Sequence, residues 1–409
     1  MKKTKVLILT SSFPRSKDDW WQRAVLSIYS NMDLKKHEVT VVSPAGPTPV
    51  YTETIDGVNI KRFDYFFPRS LQLLTSGEGI LYSNKRNKIL GKIQMITFVI
   101  AEFFAAMAIM AREKIDIIHA NWIIPQGLVA VLLKYIFGTP VIITVHGTDI
   151  FALNRLNFIK RFILKNSELC TANSSSTYEA VKNVYSKGWA EIVAMGVDLE
   201  EFHPRNYDLS WRKQFGANPK IILGVGRLIK WKGFEYLIRA LPDVLKRFPN
   251  TKLIFIGKGP EEENLKAISR KLKLKLDEDI FFFGSVGPGM LPKIYASADL
   301  AVSPSITIPE TGEKEGQGNV ALEARASGIP VIASRSGGLV DTIDGKTNGL
   351  LFEERDHIQL ANQIIYLFSN ESARKKLAKK GLKHVREKYS WKITSSKFMY
   401  LYESLVQKH

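Results

Sequence analysis

Among 409 residues the chain has a single cysteine, Cys170. One thiol closes no internal disulfide and builds no cysteine metal cluster, and the apolar context Glu168-Leu-Cys-Thr makes it a core residue. Neither GxxxxGK(S/T) nor GxGxxG occurs, so ATPase and dinucleotide-binding readings lose their main support. The basic start Met1-Lys-Lys-Thr-Lys precedes an apolar run, residues 6–9, too short for the core of a secretion signal, and the protein is expected in the cytoplasm. No internal repeat is present beyond two similar halves. Acidic residues are in deficit: 40 Asp and Glu face 58 Lys and Arg, for a formal net charge of +18. An excess of that size calls for an anionic partner, whether nucleic acid, acidic phospholipid or a phosphorylated substrate.

Long hydrophobic runs are also scarce. Residues 93–111 are almost wholly apolar and long enough to weigh as a membrane span. Glu102 lies at the centre, where a charge costs about 2.5–3.5 kcal/mol in lipid. On a helical projection Gln94, Thr97, Ala101, Glu102, Ala105, Ala108 and Arg112 share one face. The segment is therefore expected to be an amphipathic helix packed against an N-terminal sheet, with contact to a membrane surface as the alternative, and not a span. Phe63, Tyr65, Phe66, Phe67 and Arg69, in a stretch of irregular pattern from Ile60, and then Lys85, Arg86, Lys88 and Lys92, precede it. They suit either an interface with anionic lipid or a solvated basic loop. The Lys- and Arg-rich helix expected over 371–388 reads as a solvated face and not as a nucleic-acid reader.

What is present in quantity is α/β alternation. Apolar strands are expected at KVLIL (5–9), HEVTVVSP (37–44), IDIIH (115–119) and PVIITV (140–145), LCTANSS (169–175) helps to complete the first half, and the pattern restarts with IILGVG (221–226), KLIFIG (252–257) and VIA (331–333). The length divides naturally into two domains with a boundary near residue 200: residues 1–200, and 201–390. The stretch that organises the chain is 309–334, PETGEKEGQGNVALEARASGIPVIAS. Gly312, Gly316 and Gly318 free the loop backbone to close around a ligand, a short helix follows, and Val331 starts a buried strand. A glycine-rich loop entering a helix N-terminus offers N–H groups and a positive dipole end to a phosphate. Glu315 and Glu323, eight residues apart, cannot hold that phosphate, so their natural partners are hydroxyls. A phosphate flanked by polyols describes a nucleotide-sugar.

Several segments strengthen that reading by resemblance. Glu315-Gly-Gln-Gly-Asn-Val-Ala-Leu-Glu323-Ala resembles the E-x7-E motif of the retaining glycosyltransferases of family 4, which have the GT-B fold. Arg227 and Lys232 in GRLIKWKG resemble the family's paired cations on the donor diphosphate, and His146-Gly-Thr-Asp149 resembles its "HG-x-D" segment. "GHEVTVVTP", "pNGVD", "GDGP", "YAAAD" and "NGLLF" have counterparts throughout the chain, with Met195 replacing the usual asparagine of "pNGVD". The first loop, SSFPRSKDDWW, lacks the family's paired glycines. Trp20 and Trp21 in it either pack or, with Arg15 and Arg23, form an acceptor- or lipid-facing surface.

The resemblance implies two Rossmann-like doubly wound domains facing across a cleft, with a last helix, 391–409, returning to the N-terminal, acceptor-side domain. It implies that Arg227 and Lys232 stabilise the departing diphosphate, that Glu315 holds the transferred sugar and that His146 meets that sugar. Donor contacts are expected from Gly226, Gly316, Gln317, Gly318, Asn319, Val320 and Glu323, the last on the ribose, and Gly337-Gly338 offers a second flexible approach to phosphate. Arg15 and Asp149 are expected on the acceptor side. No metal and no cofactor is expected, because the nucleotide-sugar, with UDP or GDP, is a substrate and cations do the work of a metal. The acceptor is expected to be a glycan or lipid-linked saccharide, at an anionic membrane surface on its inner face, with no nucleic acid partner. Rival readings are an epimerase or phosphorylase of the same fold, and a non-enzymatic basic module.

Overall fold

The computed structural model describes residues 3–16, 19, 22–46, 50–72, 74, 88–152, 154–287 and 289–408. Trp20, Trp21, Lys85 and Arg86 lie outside the described residues, as does the side chain of Lys88. The chain forms two compact units, one of residues 1–173, 177–193 and 391–409, the other of residues 174–176 and 194–390.

The first unit is built on an eight-stranded sheet. Its strands are β1 (Thr4–Leu9), β2 (His37–Pro44), β3 (Thr52–Ile55), β4 (Val58–Phe63), β5 (Ile117–Asn121), β6 (Val141–Val145), β7 (Leu169–Ala172) and β8 (Ala190–Ile192). Their order is β3-β4-β2-β1-β5-β6-β7-β8, and every pair is parallel except β3–β4. β5, β6 and β7 are buried along their whole length, as a parallel sheet covered on both faces requires. The region from Ile60, irregular by sequence pattern, instead completes a hairpin turned by Asp56-Gly57, both at positive φ. That Asp-Gly dipeptide between alternating residues is the signal that marks it.

Right-handed crossovers divide the helices between the two faces. The step from β1 to β2 carries α1 (Arg23–Ser30) and moves one way along the sheet, and the C-terminal helix Trp391–Val406 packs on α1. The steps from β4 to β5, β5 to β6 and β6 to β7 move the other way. They place α2 (Lys88–Met110), α3 (Leu128–Phe137) and α4 (Asn157–Asn166) side by side on the opposite face.

Helix α2 inverts what its polar face suggests. Gln94 and Glu102 are completely buried, together with Phe98 and Ala106, while Ile89, Ile93, Ile96, Ile100 and Phe104 are exposed. Gln94 Nε2 donates to the Leu71 carbonyl, and Gln126 Nε2 donates to Glu102 Oε1 at 3.3 Å. Burial pushes the Glu102 carboxyl up to about 8, so it is uncharged at neutral pH. Arg69, expected among the basic residues of the preceding loop, is paired with Asp64 at 2.6 Å. That guanidinium holds the Asp64 carboxyl down at about 2.

The second unit has six parallel strands, β9 (Lys220–Val225), β10 (Thr251–Ile256), β11 (Ile280–Phe282), β12 (Leu300–Ser303), β13 (Val331–Ser334) and β14 (Leu350–Phe352). They run in the order β11-β10-β9-β12-β13-β14. The chain leaves β9 toward β10 on one side and returns on the other through β12. Ligands of open α/β sheets gather beyond the carboxyl ends of strands at such a reversal.

Candidate active site

At the β9/β12 reversal the sequence delivers three candidates to one place. Gly226 and Lys232 follow β9, and Ser305 and Glu315 follow β12. Lys232 Nζ donates to Glu315 Oε2 at 2.7 Å, and Ser305 Oγ donates to the same oxygen at 2.9 Å. Both charged side chains are nearly excluded from water, and the ammonium also lies 4.6 Å from the centre of the Trp231 ring. Gly226 keeps the neighbouring space open: a Cβ there would lie 3.8 Å from Lys232 Nζ. Arg227, next in sequence, is exposed. The two predicted cations thus differ in exposure, Lys232 being nearly buried on Glu315 and Arg227 open to solvent.

Gly318, at φ 86°, caps α5 (Asn319–Ala326), and a Cβ on it would come within 2.4 Å of Leu339. By position the N–H groups of Asn319 and Val320 stand in the first turn, where no helical carbonyl is available to them. Glu323 projects from the second turn, and its Oε2 accepts from the Tyr295 hydroxyl at 2.9 Å. Burial raises its carboxyl to about 7, a shift the Tyr295 bond opposes. Glu315 and Glu323 share one feature: each is held through Oε2, and Oε1 makes no hydrogen bond among the described residues.

Two expectations need correction. Gln317 does not present its side chain to a donor: Oε1 accepts from the Met195 N–H at 2.7 Å and Nε2 donates to the Met195 carbonyl at 2.9 Å. It acts as a two-point tie for the loop, and Gly316 beside it contributes backbone alone. Gly337 and Gly338 are not the flexible segment expected either, for the Gly338 N–H donates to the Glu315 carbonyl oxygen at 3.1 Å. A Cβ on Gly337 would fall 2.0 Å from the Glu315 carbonyl oxygen, and one on Gly338 2.0 Å from that of Gly316. These glycines exist so that backbone can lie on backbone behind the Glu315 loop.

In the first unit His146 follows β6, and its Nε2 lies 3.1 Å from Asn121 Oδ1 at the end of β5. Asn121 Nδ2 donates to the Tyr29 hydroxyl at 2.9 Å, which assigns its Oδ1 as acceptor and Nε2 of His146 as the protonated nitrogen. The ring lies 4.8 Å from that of Trp122. Burial pulls His146 down to about 4, so the ring is neutral and its Nδ1 is an acceptor with no hydrogen bond among the described residues. Tyr29 continues the network to His119, whose Nδ1 also meets the Tyr402 hydroxyl at 2.6 Å. Asn121 and Tyr29 escaped sequence reasoning because nothing in IIHAN marks one polar residue as the partner of a histidine 25 positions later.

Asp149 is corrected as well. It is 5% exposed, and its two oxygens accept the main-chain N–H groups of His146 and Ile123, each at 3.0 Å. It holds the His146 loop from behind and presents no carboxylate to an acceptor. Burial raises it to about 6 against those two hydrogen bonds. Arg15 is half-buried, beside Gly46, with its N–H bonded to Asp19 Oδ2 at 3.0 Å. Among the described residues no group of three or more His, Cys, Asp or Glu side chains converges as a metal site.

Comparison with known proteins accounts for both units. Residues 22–201 match the family described as Glycosyltransferase Family 4, and residues 208–384 match Glycosyl transferases group 1. An uncharacterised glycosyltransferase of Methanocaldococcus jannaschii is 28% identical over 87% of this chain and 86% of its own. A GDP-mannose-dependent monoacylated alpha-(1-6)-phosphatidylinositol monomannoside mannosyltransferase of Corynebacterium glutamicum is 29% identical over 73% of this chain and 79% of its own. Among solved structures, sucrose-phosphate synthase from Thermosynechococcus elongatus superposes with a TM-score of 0.79 at 21% identity, covering all of both chains. The chain is therefore an enzyme that belongs to the GT-B glycosyltransferases, with a family 4 domain followed by a group 1 domain.

Proposed function

We propose that this glycosyltransferase is retaining and metal-independent, and that it moves a sugar from a UDP- or GDP-sugar to a glycan or lipid-linked acceptor. Its place is cell-envelope polysaccharide or glycolipid synthesis, as a peripheral protein on the cytoplasmic face of the membrane. The observation that carries the donor reading is the buried Lys232–Glu315 pair at the β9/β12 reversal. Lys232 keeps two ammonium protons for phosphate while Glu315 keeps Oε1 for a sugar hydroxyl. Arg227 and the N–H groups at the start of α5 supply further positive potential, and Glu323 Oε1 serves the ribose.

As the anomeric C–O bond to the diphosphate breaks, charge gathers on the departing phosphate, where fixed cations stabilise it without a cofactor. The acceptor oxygen bonds to the anomeric carbon from the same face, and its proton passes to a donor phosphate oxygen. No protein nucleophile is needed. His146 is assigned to the transferred sugar through its accepting Nδ1. A relative named for GDP-mannose and for a phosphatidylinositol mannoside supports both a nucleotide donor and a lipid-borne acceptor.

The test is turnover of a panel of nucleotide-sugars in the presence of EDTA, following nucleoside diphosphate release and the anomeric configuration of the product by NMR. One donor consumed at an unchanged rate in EDTA, with configuration kept, is the expected result. Inversion or loss of activity in EDTA contradicts it, and release of free epimer or sugar phosphate returns the reading to an epimerase or phosphorylase.

A further inference from the structure

The outer surface of the α2–α3–α4 layer is built the wrong way round for a surface in water. On α2 the exposed side chains Ile89, Ile93, Ile96, Ile100 and Phe104 recur every three or four residues, which makes one continuous stripe along the helix. From Ile89 to Phe104 it runs for about 22 Å at 1.5 Å per residue. α2 packs on α3 and α3 on α4, so the stripe has neighbours. Tyr135 and Ile136 of α3 and Phe158 and Phe162 of α4 are exposed, and the Tyr135 and Phe162 rings stack with centroids 6.4 Å apart. Contiguous apolar surface of this extent marks an interaction site.

The charge on the same layer identifies the partner. The sequences of α2, α3 and α4 contain one acidic residue, Glu102, and it is buried and neutral. Lys92, Arg155, Arg161 and Lys165 are exposed beside the apolar residues and form no ion pair among the described residues. A surface of isoleucine and phenylalanine edged with cations, with no exposed acid among the described residues of the three helices, is complementary to an anionic bilayer, whose headgroups meet the cations while the apolar groups enter the acyl boundary. A second copy of the same surface would set cation against cation. Ile89–Met110 is long and apolar enough to cross a membrane by length and composition, but Gln94, Phe98 and Glu102 commit its inner face to the protein core. It therefore lies along a membrane and does not pass through it.

We infer that the outer face of α2, α3 and α4 is the surface by which this enzyme docks on anionic phospholipid. The inference rests on the membrane placement proposed above and adds which surface makes the contact. The full chain is sedimented with vesicles of phosphatidylcholine, with and without phosphatidylglycerol. The wild type is compared with the triple variant Ile96→Ser/Ile100→Ser/Phe104→Ser and with the charge-reversal pair Arg161→Glu/Lys165→Glu. The wild type is expected to bind the phosphatidylglycerol vesicles. The triple variant should partition about tenfold less or weaker still, and the charge pair should lose its preference for the anionic vesicles. All three should bind nucleotide alike, which separates a failure here from a failure of the donor reading. A wild type that binds no vesicle overturns both the membrane placement and this assignment. Variants that bind as the wild type does overturn the assignment alone. If light scattering shows a dimer that the triple variant converts to monomer, the face belongs to a second copy and the proposal falls.

Discussion

At the scale of single residues, groups that hold the candidate site differ from groups with polar atoms left for a ligand. Lys232 is assigned both roles, and removing it strands Glu315 as a buried carboxylate. Lys232→Ala is therefore expected to lower stability by about 3–5 kcal/mol in addition to weakening nucleotide binding. Lys232→Met combined with Glu315→Gln removes both charges and should recover most of the stability without recovering binding. Chemical denaturation read beside calorimetry separates the two effects; recovery of binding by the double variant would remove Lys232 from the donor site. In the first unit, Asn121 fixes which nitrogen of His146 is protonated. Asn121→Asp places a carboxylate beside the ring and favours the imidazolium, so the acid limb of the pH–rate profile should move to higher pH from near 4. Activity should also fall, by on the order of tenfold or more, as the ring loses its set orientation. An unchanged profile would show that His146 is not held through Asn121 during turnover.

Elements show where sequence reasoning reached its limit. The central parallel strands were legible because a doubly covered parallel strand reads as an unbroken apolar run, as VIITV and LIFI do. The E-x7-E loop and its helix were legible because spacing, glycines and carboxylates all coincide there. Three features were not. The amide tie from Gln317 to Met195 and the seating of Gly337-Gly338 on the Glu315 loop are tertiary contacts between segments distant in sequence, and the same residues would read identically in an open phosphate loop. On α2, periodicity finds a polar face but does not say which way it points, and Glu102 turned inward because Gln126 receives it.

That burial has a measurable consequence. The Glu102 carboxyl is raised from 4.5 to about 8 in the folded chain. Its contribution to stability is complete below pH 4.5 and is lost as pH rises through about 8, since ionising it leaves a charge in the core. Glu102→Gln lacks that loss. The wild type and the variant should melt close together near pH 5 and separate in favour of the variant near pH 9, by about 1.4 kcal/mol for each unit of pKa difference. Equal melting at both pH values would mean that the carboxyl is not desolvated.

For the molecule as a whole, the +18 charge has two proposed destinations: phosphate at the β9/β12 reversal and lipid along the α2–α3–α4 layer. Neither destination needs nucleic acid, and the matched families leave the non-enzymatic basic module without support. The central claim is that the second unit binds a nucleotide-sugar with Glu323 on the ribose. Calorimetric titration of UDP, GDP and ADP and their sugars into the wild type and Glu323→Ala tests it directly. Tight binding of one nucleotide family, weakened by the substitution, is expected, while a control nucleotide stays weak in both proteins. Binding of none, or binding that Glu323→Ala leaves unchanged, would contradict it.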